Sequence, residues 1–176
     1  TRGCYEERGI AITSSESNAS THQFWMEISP IQLSFNPLST IISCNEKRNA
    51  HSQLTLCKTF AYGQAIQARR EAQELGFDDA LFESTNGDIC CGTTANIIIK
   101  RHNEFLTPPL KSGCLPGIMR QQGIEHGLLK EAKIKNQPLK NDQWLLINSL
   151  SCRPISKINQ TNLDLFLNPE QFWHSL

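Results

Sequence analysis

The sequence predicts an α/β fold, and three observations carry this prediction. Strand-like and helix-like segments alternate from residue 37 to the C-terminus, the pattern of a sheet covered by helices. One helical segment has a stripe of alanines at steps of three and four, as expected of a helix that packs closely on a sheet. The length of 176 residues and the 39% hydrophobic content suffice to bury one substantial core.

Composition and charge argue against several classes of protein. The chain has 17 Lys and Arg and 17 Asp and Glu, so we expect neither nucleic acid nor an anionic membrane as a partner. No apolar run approaches the roughly 20 residues that cross a bilayer. The first residues lack the apolar stretch of a signal peptide. We therefore expect a cytoplasmic protein.

The seven cysteines form no recognisable framework. They stand at positions 4, 44, 57, 90, 91, 114 and 152. The odd count and the adjacent pair argue against a set of disulfides, and the absence of a CxxC pair argues against zinc. The five histidines have no metal-binding spacing. We expect no metal, and reduced thiols that, apart from Cys91, act as small hydrophobic residues.

Apolar, β-branched runs that end in turn residues predict the strands. Residues 10–36 indicate only short strands and an irregular connection. Residues 38–43 indicate a buried strand, and residues 45–52 a polar loop. Four further strands are predicted at residues 78–84, 95–100, 104–107 and 143–148. The polar residues that follow the last of these strands, 148–155, predict a loop. Asn86-Gly87 predicts a tight turn, and Pro108-Pro109 ends the hairpin formed by the middle pair of these strands.

The clearest predicted helix follows Lys58. Its apolar stripe consists of Ala61, Ala65, Ala68, Ala72 and Leu75. Gly76 supplies the left-handed residue that ends such a helix. Two further helices are predicted at residues 119–132 and 163–173, the second one broken near Pro169.

The helix predicted at residues 119–132 is preceded by a glycine. Gly117 follows Pro116, so the chain enters the helix from a loop. The free N–H groups of a helix start and the helix macrodipole both attract an anion, phosphate above all. A plain helix N-terminus would explain the same two residues.

Several of these segments together resemble one enzyme family. The match runs through residues 58–81, the small-residue loop at 90–96 and the helix entry at Gly117. They resemble the fold-type IV pyridoxal-phosphate enzymes, also called class IV aminotransferases. The resemblance implies that residues 37–176 are the cofactor-binding C-terminal domain of that family, an α/β pseudo-barrel. It also implies that residues 1–36 are the remnant of an interdomain connection, that an N-terminal domain is missing, and that the full-length protein is a homodimer.

The resemblance assigns residues to a site for pyridoxal 5'-phosphate. Those expected around the cofactor are Lys58, Cys91, Asn96, Gly117, Ile118, Met119, Asn148 and Ser149. Lys58 would bind the cofactor covalently and move the proton at the substrate α-carbon, which requires a desolvated amine. The backbone of Ile118 and Met119 would hold the phosphate, although many members have threonine in place of Met119. Arg153 would clamp the substrate carboxylate, unless it is simply a surface arginine.

Cys91 departs from the family pattern. The family usually has a glutamate five residues before the asparagine that corresponds to Asn96, and this glutamate holds a proton on the pyridine nitrogen. Glu83, the nearest upstream glutamate, lies in a strand on the far side of the Asn86-Gly87 turn. A thiol holds the pyridinium less firmly, so the ring should be a weaker electron sink. That weakness favours elimination over transamination.

The activity that these features favour is a pyridoxal-phosphate-dependent lyase reaction on a small-molecule substrate. The resemblance implies conversion of 4-amino-4-deoxychorismate to p-aminobenzoate and pyruvate, a step of folate biosynthesis. One alternative is a branched-chain or D-amino-acid aminotransferase of the same family. The other is a non-catalytic fragment that keeps only part of the site.

Overall fold

The computed structural model describes residues 5–6, 9–10, 30–59 and 61–176. Most of the short strands expected in residues 10–36 lie outside this range. Within it, the strands are β1 (Tyr5–Glu6), β2 (Gly9–Ile10), β3 (Leu38–Arg48), β4 (Asp79–Ser84), β5 (Ile89–Gly92), β6 (Asn96–Arg101), β7 (Glu104–Thr107), β8 (Leu129–Glu131), β9 (Gln143–Asn148), β10 (Ser151–Ile158) and β11 (Thr161–Asn162). The helices are α1 (Gly63–Glu74), α2 (Ile118–Glu125) and α3 (Pro169–Ser175).

Six of the described strands close into a barrel. The ring runs β3, β4, β5, β6, β9 and β10, and β10 pairs with β3 again. β3 is parallel to both of its neighbours, whereas the other pairs of the ring are antiparallel. β7 and β8 extend the sheet from β6, and β11 extends it from β10. The predicted α/β pseudo-barrel is therefore confirmed.

The sheet is buried on both faces, which explains its continuous apolar runs. In β6, Ile97 and Ile99 join a cluster with Trp144, whereas Ile98 faces the opposite way. The side chain of Ile98 belongs to a cluster with Phe172 of α3. Period-two alternation of the side chains thus sends neighbouring isoleucines into different parts of the core.

Helix α1 packs on β3 and β4 through small residues. Ala68 and Ala72 are completely buried, in a cluster that also contains Phe82. The carboxylate of Glu71 accepts hydrogen bonds from the Ser43 hydroxyl at 2.6 Å and from the Cys44 N–H at 2.9 Å. Burial raises the pKa of Glu71, but these hydrogen bonds outweigh it and leave the pKa lowered. They therefore stabilise the fold above the ordinary pKa of the carboxyl and are lost as the pH falls.

Three predictions about α1 and the strand before it need correction. The helix begins at Gly63, and Leu75 at the end of the predicted stripe is 62% exposed. Gly76 does end the helix, with φ of 78°. Residues 45–48, predicted as loop, continue β3, because a register shift lets Lys47 and Arg48 pair with the end of β4.

Three predictions in the second half of the chain were also wrong. Helix α2 ends at Glu125, because Gly127 adopts φ of 72° and the apolar residues beyond it form β8. The polar loop expected after Asn148 is only two residues long before β10 begins. The terminal helix starts at Pro169, the residue predicted to break it. Proline is well tolerated in the first turn, where its missing N–H has no helical partner.

An ion pair between the partly exposed Arg101 and the buried Asp142 holds β6 to the segment before β9. Both carboxylate oxygens of Asp142 accept from Arg101, at 2.9 and 2.8 Å, and one also accepts from the Leu139 N–H at 3.1 Å. The Asp142 side chain is 1% exposed. Removing one member of such a pair leaves the other charge uncompensated.

We predict that Asp142→Ala lowers the free energy of unfolding by about 2 kcal/mol, since Arg101 and the Leu139 N–H would lose their buried acceptor. Urea unfolding followed by circular dichroism measures this. Glu104→Ala is the matched control, because its pair with Lys130 is exposed on both sides, and it should leave the midpoint nearly unchanged. Equal effects of the two variants would contradict a structural role for the ion pair of Arg101 and Asp142.

Candidate active site

A cavity of about 720 Å³ opens at one edge of the barrel. Its size is within the range of small-molecule and cofactor sites. The lining comes from six parts of the chain that are far apart in sequence: Arg48 at the end of β3, residues 56–59, 61, 62, 64 and 65 before and at the start of α1, Phe82 of β4, residues 91–96, residues 115–119, and residues 148–150. The site is therefore built by the tertiary fold.

The pairing of β6 with β9 brings two of these segments together. The strands are antiparallel, and Asn96 at the start of β6 lies opposite Ile147 near the end of β9. The turn before β6 and the turn after β9 are consequently neighbours. The Asn148 amide donates to the carbonyl of Thr94 at 3.3 Å, and its oxygen accepts from the Leu150 N–H at 2.8 Å. Asn148 thus fixes both turns, while the exposed Ser149 also lines the cavity.

Asn96 holds the loop that leads into α2. Its side chain is 7% exposed, and its amide donates to the carbonyl of Leu115 at 2.8 Å. A Cβ atom built on Gly117 would lie 2.1 Å from the Asn96 side-chain oxygen. The backbone at Gly117 therefore approaches Asn96 more closely than any other residue would allow. The φ of Gly117 is −69°, so space and not conformational freedom requires glycine here.

The start of α2 is open towards the cavity. Gly117 is the N-cap residue and makes no side-chain capping hydrogen bond. Gly117, Ile118 and Met119 all line the cavity. The first N–H groups of a helix have no partner within the helix and, with the macrodipole, suit a phosphate.

Lys58 lies at the rim of the cavity with Tyr62 beside it. The lysine amine donates a hydrogen bond to the Tyr62 hydroxyl and lies 5.0 Å from the centre of its ring. Lys58 is exposed, so the desolvated amine expected from the sequence is not found in this structure. Its one described hydrogen-bond partner is Tyr62, four residues further along the chain.

Cys91 lies in the wall of the cavity and is 7% exposed. Its Sγ lies 3.6 Å from Sγ of Cys90. A hydrogen bond from Cys90 lowers the pKa of the Cys91 thiol, as does the positive charge of Arg48, although burial and Asp79 oppose them. Glu83 does not line the cavity, because its carboxylate pairs with Lys47 at 2.9 Å.

The charges in the cavity are unbalanced. Arg48 and Lys58 line it, but no aspartate, glutamate or histidine does so among the described residues. The Arg48 guanidinium has only long hydrogen bonds, to the Gly113 carbonyl at 3.4 Å and to Gln64 at 3.5 Å. Two cations and an open helix start suit an anionic ligand. A phosphorylated cofactor with a lysine-reactive aldehyde fits this donor set.

Arg153 is not brought to the cavity. Its guanidinium donates to the carbonyls of Asn36 at 3.0 Å and Pro37 at 3.4 Å, so it ties β10 to the segment before β3. Its charge also helps to lower the pKa of Asp78, which depends first on the hydrogen bond from the Ser39 N–H. Arg153 does not line the cavity, and its expected role as a carboxylate clamp stays a prediction.

Sequence reasoning missed three residues of the site. Arg48 lies in a segment that was predicted as a polar loop. Tyr62 lies in the family-like stretch 58–81 but was given no role of its own, although its spacing from Lys58 is that of one helical turn. Thr93 was missed because its partner is distant: its hydroxyl donates to the buried Asp79 carboxylate at 2.6 Å. Asp79 in turn pairs with Arg69 at 3.0 Å.

The described residues form neither a metal cluster nor a membrane-spanning helix. Among the residues that the structure describes, no cluster of three or more His, Cys, Asp or Glu side chains could hold a metal ion. In that same part of the chain, no helix is long and apolar enough to cross a membrane.

Comparison with known proteins identifies the family. Residues 5–158 match the model of the amino-transferase class IV family, so the chain belongs to this family. A Rickettsia bellii protein named "Probable branched-chain-amino-acid aminotransferase" is 38% identical over 82 residues, which cover 47% of this chain and 28% of that protein. A Schizosaccharomyces pombe protein named "Putative aminodeoxychorismate lyase" is 34% identical over 85 residues, which cover 46% and 37%.

A solved structure matches over a longer stretch. The crystal structure named as that of a "Putative 4-amino-4-deoxychorismate lyase" from Legionella pneumophila has a TM-score of 0.71 and 27% identity. The match covers 84% of this chain and 56% of the Legionella chain. Members of the family use pyridoxal phosphate. The chain spans less than two thirds of the length of these relatives.

We predict that Gly117→Ala disrupts the helix start, because the new methyl group would displace the Asn96 side chain. Fluorescence titration with pyridoxal 5'-phosphate should show affinity reduced about tenfold or more, the effect of losing roughly 1.4 kcal/mol. Gly63→Ala is the matched control, since no atom lies within 4 Å of its added Cβ. Equal affinity of the Gly117→Ala variant and wild type would contradict a role for this close approach.

Proposed function

We propose that this chain carries the reaction centre of a pyridoxal-phosphate-dependent lyase that converts 4-amino-4-deoxychorismate to p-aminobenzoate and pyruvate. The observation that carries the proposal is the cavity wall, where Cys91 stands and no carboxylate is found among the described lining residues. The lyase names of the yeast and Legionella relatives support it. We further propose that residues 37–176 are the C-terminal domain of a cytoplasmic, homodimeric enzyme.

The proposed cofactor site uses the residues that line the cavity. The N–H groups of Ile118 and Met119 would hold the phosphate, and Asn148 and Ser149 would cover it. Lys58 would attach the cofactor. When bound, pyridoxal phosphate supplies an aldehyde that condenses with amines and a ring that withdraws electrons from the substrate α-carbon.

Lys58 would also move the proton. Its amine would take the proton from the substrate α-carbon as general base. The Tyr62 hydroxyl accepts a hydrogen bond from this amine, which fixes the direction of the nitrogen. Exclusion of water from the rim would favour the free amine that this step needs, because burial disfavours the charged form of an amine.

Cys91, in the wall of the cavity, favours elimination over transamination. A carboxylate near the ring of the cofactor would stabilise strong charge withdrawal, whereas sulfur stabilises it less. Elimination asks less of the ring, because the leaving group departs as negative charge develops at the α-carbon. For the proposed substrate, formation of an aromatic product adds driving force.

A branched-chain aminotransferase is the second candidate, and one observation favours it. Three exposed apolar side chains line the cavity, which suits an aliphatic substrate: Leu56, Ile118 and Leu150. The Rickettsia relative carries such a name.

We predict that Lys58 is the cofactor lysine. Borohydride reduction of cofactor-loaded protein, followed by peptide mapping, should place the cofactor on Lys58. Lys58→Arg keeps the charge but should abolish the covalent attachment. Lys111→Arg is the control and should behave as wild type, because Lys111 does not line the cavity. Cofactor found on Lys111 or Lys100 would overturn the assignment.

We predict a change of reaction in Cys91→Glu, because a carboxylate would strengthen charge withdrawal by the ring. Assays of the loaded protein should compare pyruvate and p-aminobenzoate release with 2-oxo acid formation from branched-chain amino acids. Wild type should favour the first reaction, and Cys91→Glu should raise the second relative to it. Cys91→Ser, which preserves size but cannot ionise, should keep part of the lyase activity, because elimination asks less of the ring. Wild-type formation of 2-oxo acid without p-aminobenzoate would establish the aminotransferase instead.

A further inference from the structure

A β-bulge places two thiols side by side at the wall of the cavity. Phe82 of β4 pairs with Cys91, but the next residue, Glu83, pairs with Ile89, so Cys90 is the extra residue of β5. Consecutive side chains of a regular strand point to opposite faces. Here Sγ of Cys90 lies 3.6 Å from Sγ of Cys91, and both side chains belong to the same cluster. Bulges often redirect a side chain next to an active site.

The bulge gives the sulfur of Cys91 a hydrogen-bond donor. Cys90 is completely buried, and its thiol can donate either to the Phe82 carbonyl at 3.4 Å or to the sulfur of Cys91. When Cys91 carries its proton, that proton can point to Cys90, and Cys90 can donate to Phe82. When Cys91 loses its proton, the anion is the stronger acceptor, and the Cys90 proton turns towards it. Both states are therefore satisfied.

The charged groups around Cys91 favour the anion. Arg48 from β3 lines the same cavity wall and has no ion-pair partner among the described residues. Asp79 at the start of β4 opposes an anion, but Arg69 pairs with it at 3.0 Å, which compensates much of its charge. Lys58 adds a second cation at the rim. The third nearby thiol stays neutral, since burial raises the pKa of Cys114 to about 11.

We propose that Cys91 is a thiolate at neutral pH and supplies the negative charge of the cavity wall, with Cys90 as its hydrogen-bond donor and Arg48 as its countercharge. The proton released by Cys91 goes to solvent. Cys90 and Arg48 are positioning residues, because they act only through the sulfur of Cys91. A lowered pKa of Cys91 agrees with this arrangement.

The thiolate of Cys91 would bind the ring of the cofactor, an inference that rests on the proposed function. An anionic sulfur can hold a positively charged N–H group of a bound aromatic ring, but less firmly than a carboxylate would, so the preference for elimination remains. Sulfur spreads its charge over a larger volume and accepts hydrogen bonds more weakly than a carboxylate oxygen. The cavity would thus hold the cofactor ring nitrogen with a soft anion.

The test measures the ionisation of Cys91 in the 176-residue protein without cofactor, so its outcome does not depend on the proposed function. The difference in ultraviolet thiolate absorbance between wild type and Cys91→Ser, followed against pH, gives the midpoint without a reagent. Iodoacetamide labelling of the Cys91 peptide against pH gives it independently. We expect a midpoint below that of an ordinary thiol, about 8.5, which the urea-unfolded protein supplies as internal reference.

Paired variants separate charge and hydrogen bonding from packing. Arg48→Met should raise the midpoint by about one pH unit. Arg48→Lys keeps the positive charge, so its midpoint should stay close to that of wild type. Cys90→Ala should raise it, whereas Cys90→Ser, which keeps a donor, should not. A wild-type midpoint at or above that of the unfolded chain would overturn the proposal, as would Arg48→Met and Cys90→Ala variants that leave the midpoint unchanged.

A second measurement concerns the cofactor. Loading with pyridoxal 5'-phosphate should suppress labelling of Cys91 while the exposed Cys44, which lies outside the cavity, continues to react. Bound cofactor with undiminished labelling of Cys91 would overturn its role towards the ring, even if the thiolate itself had been measured. Absence of cofactor binding would instead count against the proposed function alone.

Discussion

The antiparallel pairing of β6 with β9 is the interaction on which the site depends. It closes the barrel, because β9 then connects through β10 to β3 on the other side of the ring. Five consecutive pairs, from Asn96 opposite Ile147 to Lys100 opposite Gln143, fix the register. A shift by one residue would reverse every side chain of β6 and exchange its two buried faces. Burial on both faces therefore also fixes where the cavity edge lies.

The close approach of Gly117 to Asn96 transmits this rigidity to α2. Helix starts attract anions wherever they occur, but an anion site is useful only if its position relative to the reacting groups is fixed. Asn96 belongs to β6 and holds the Leu115 carbonyl, so the helix start is attached directly to the barrel. Lys58, by contrast, stands on an exposed segment with Tyr62 as its partner. The structure thus combines a helix start that is attached to the barrel with a more open lysine.

Local sequence signals predicted much of the fold. The hairpin of β6 and β7, the turn at Asn86-Gly87 and the helix end at Gly76 depend on neighbouring residues alone, and all three are found in the structure. β10 was missed because Arg153, Pro154 and other polar residues interrupt its apolar pattern, and its pairing with distant β3 and β9 stabilises it. The second helix was predicted too long because Leu128 and Leu129 continue its apolar pattern beyond the left-handed Gly127.

The site shows the same division between local and distant causes. The lysine and the glycine of the helix start stand out in the sequence, because their chemistry requires particular residue types. The pair of thiols at Cys90 and Cys91 carries no such meaning in sequence, since adjacent strand residues should face apart. Only the bulge opposite Phe82 and Glu83 brings the sulfur atoms together, and only the end of β3 brings Arg48 to the same wall. A cysteine that first reads as the loss of a carboxylate thereby gains the surroundings of an anion.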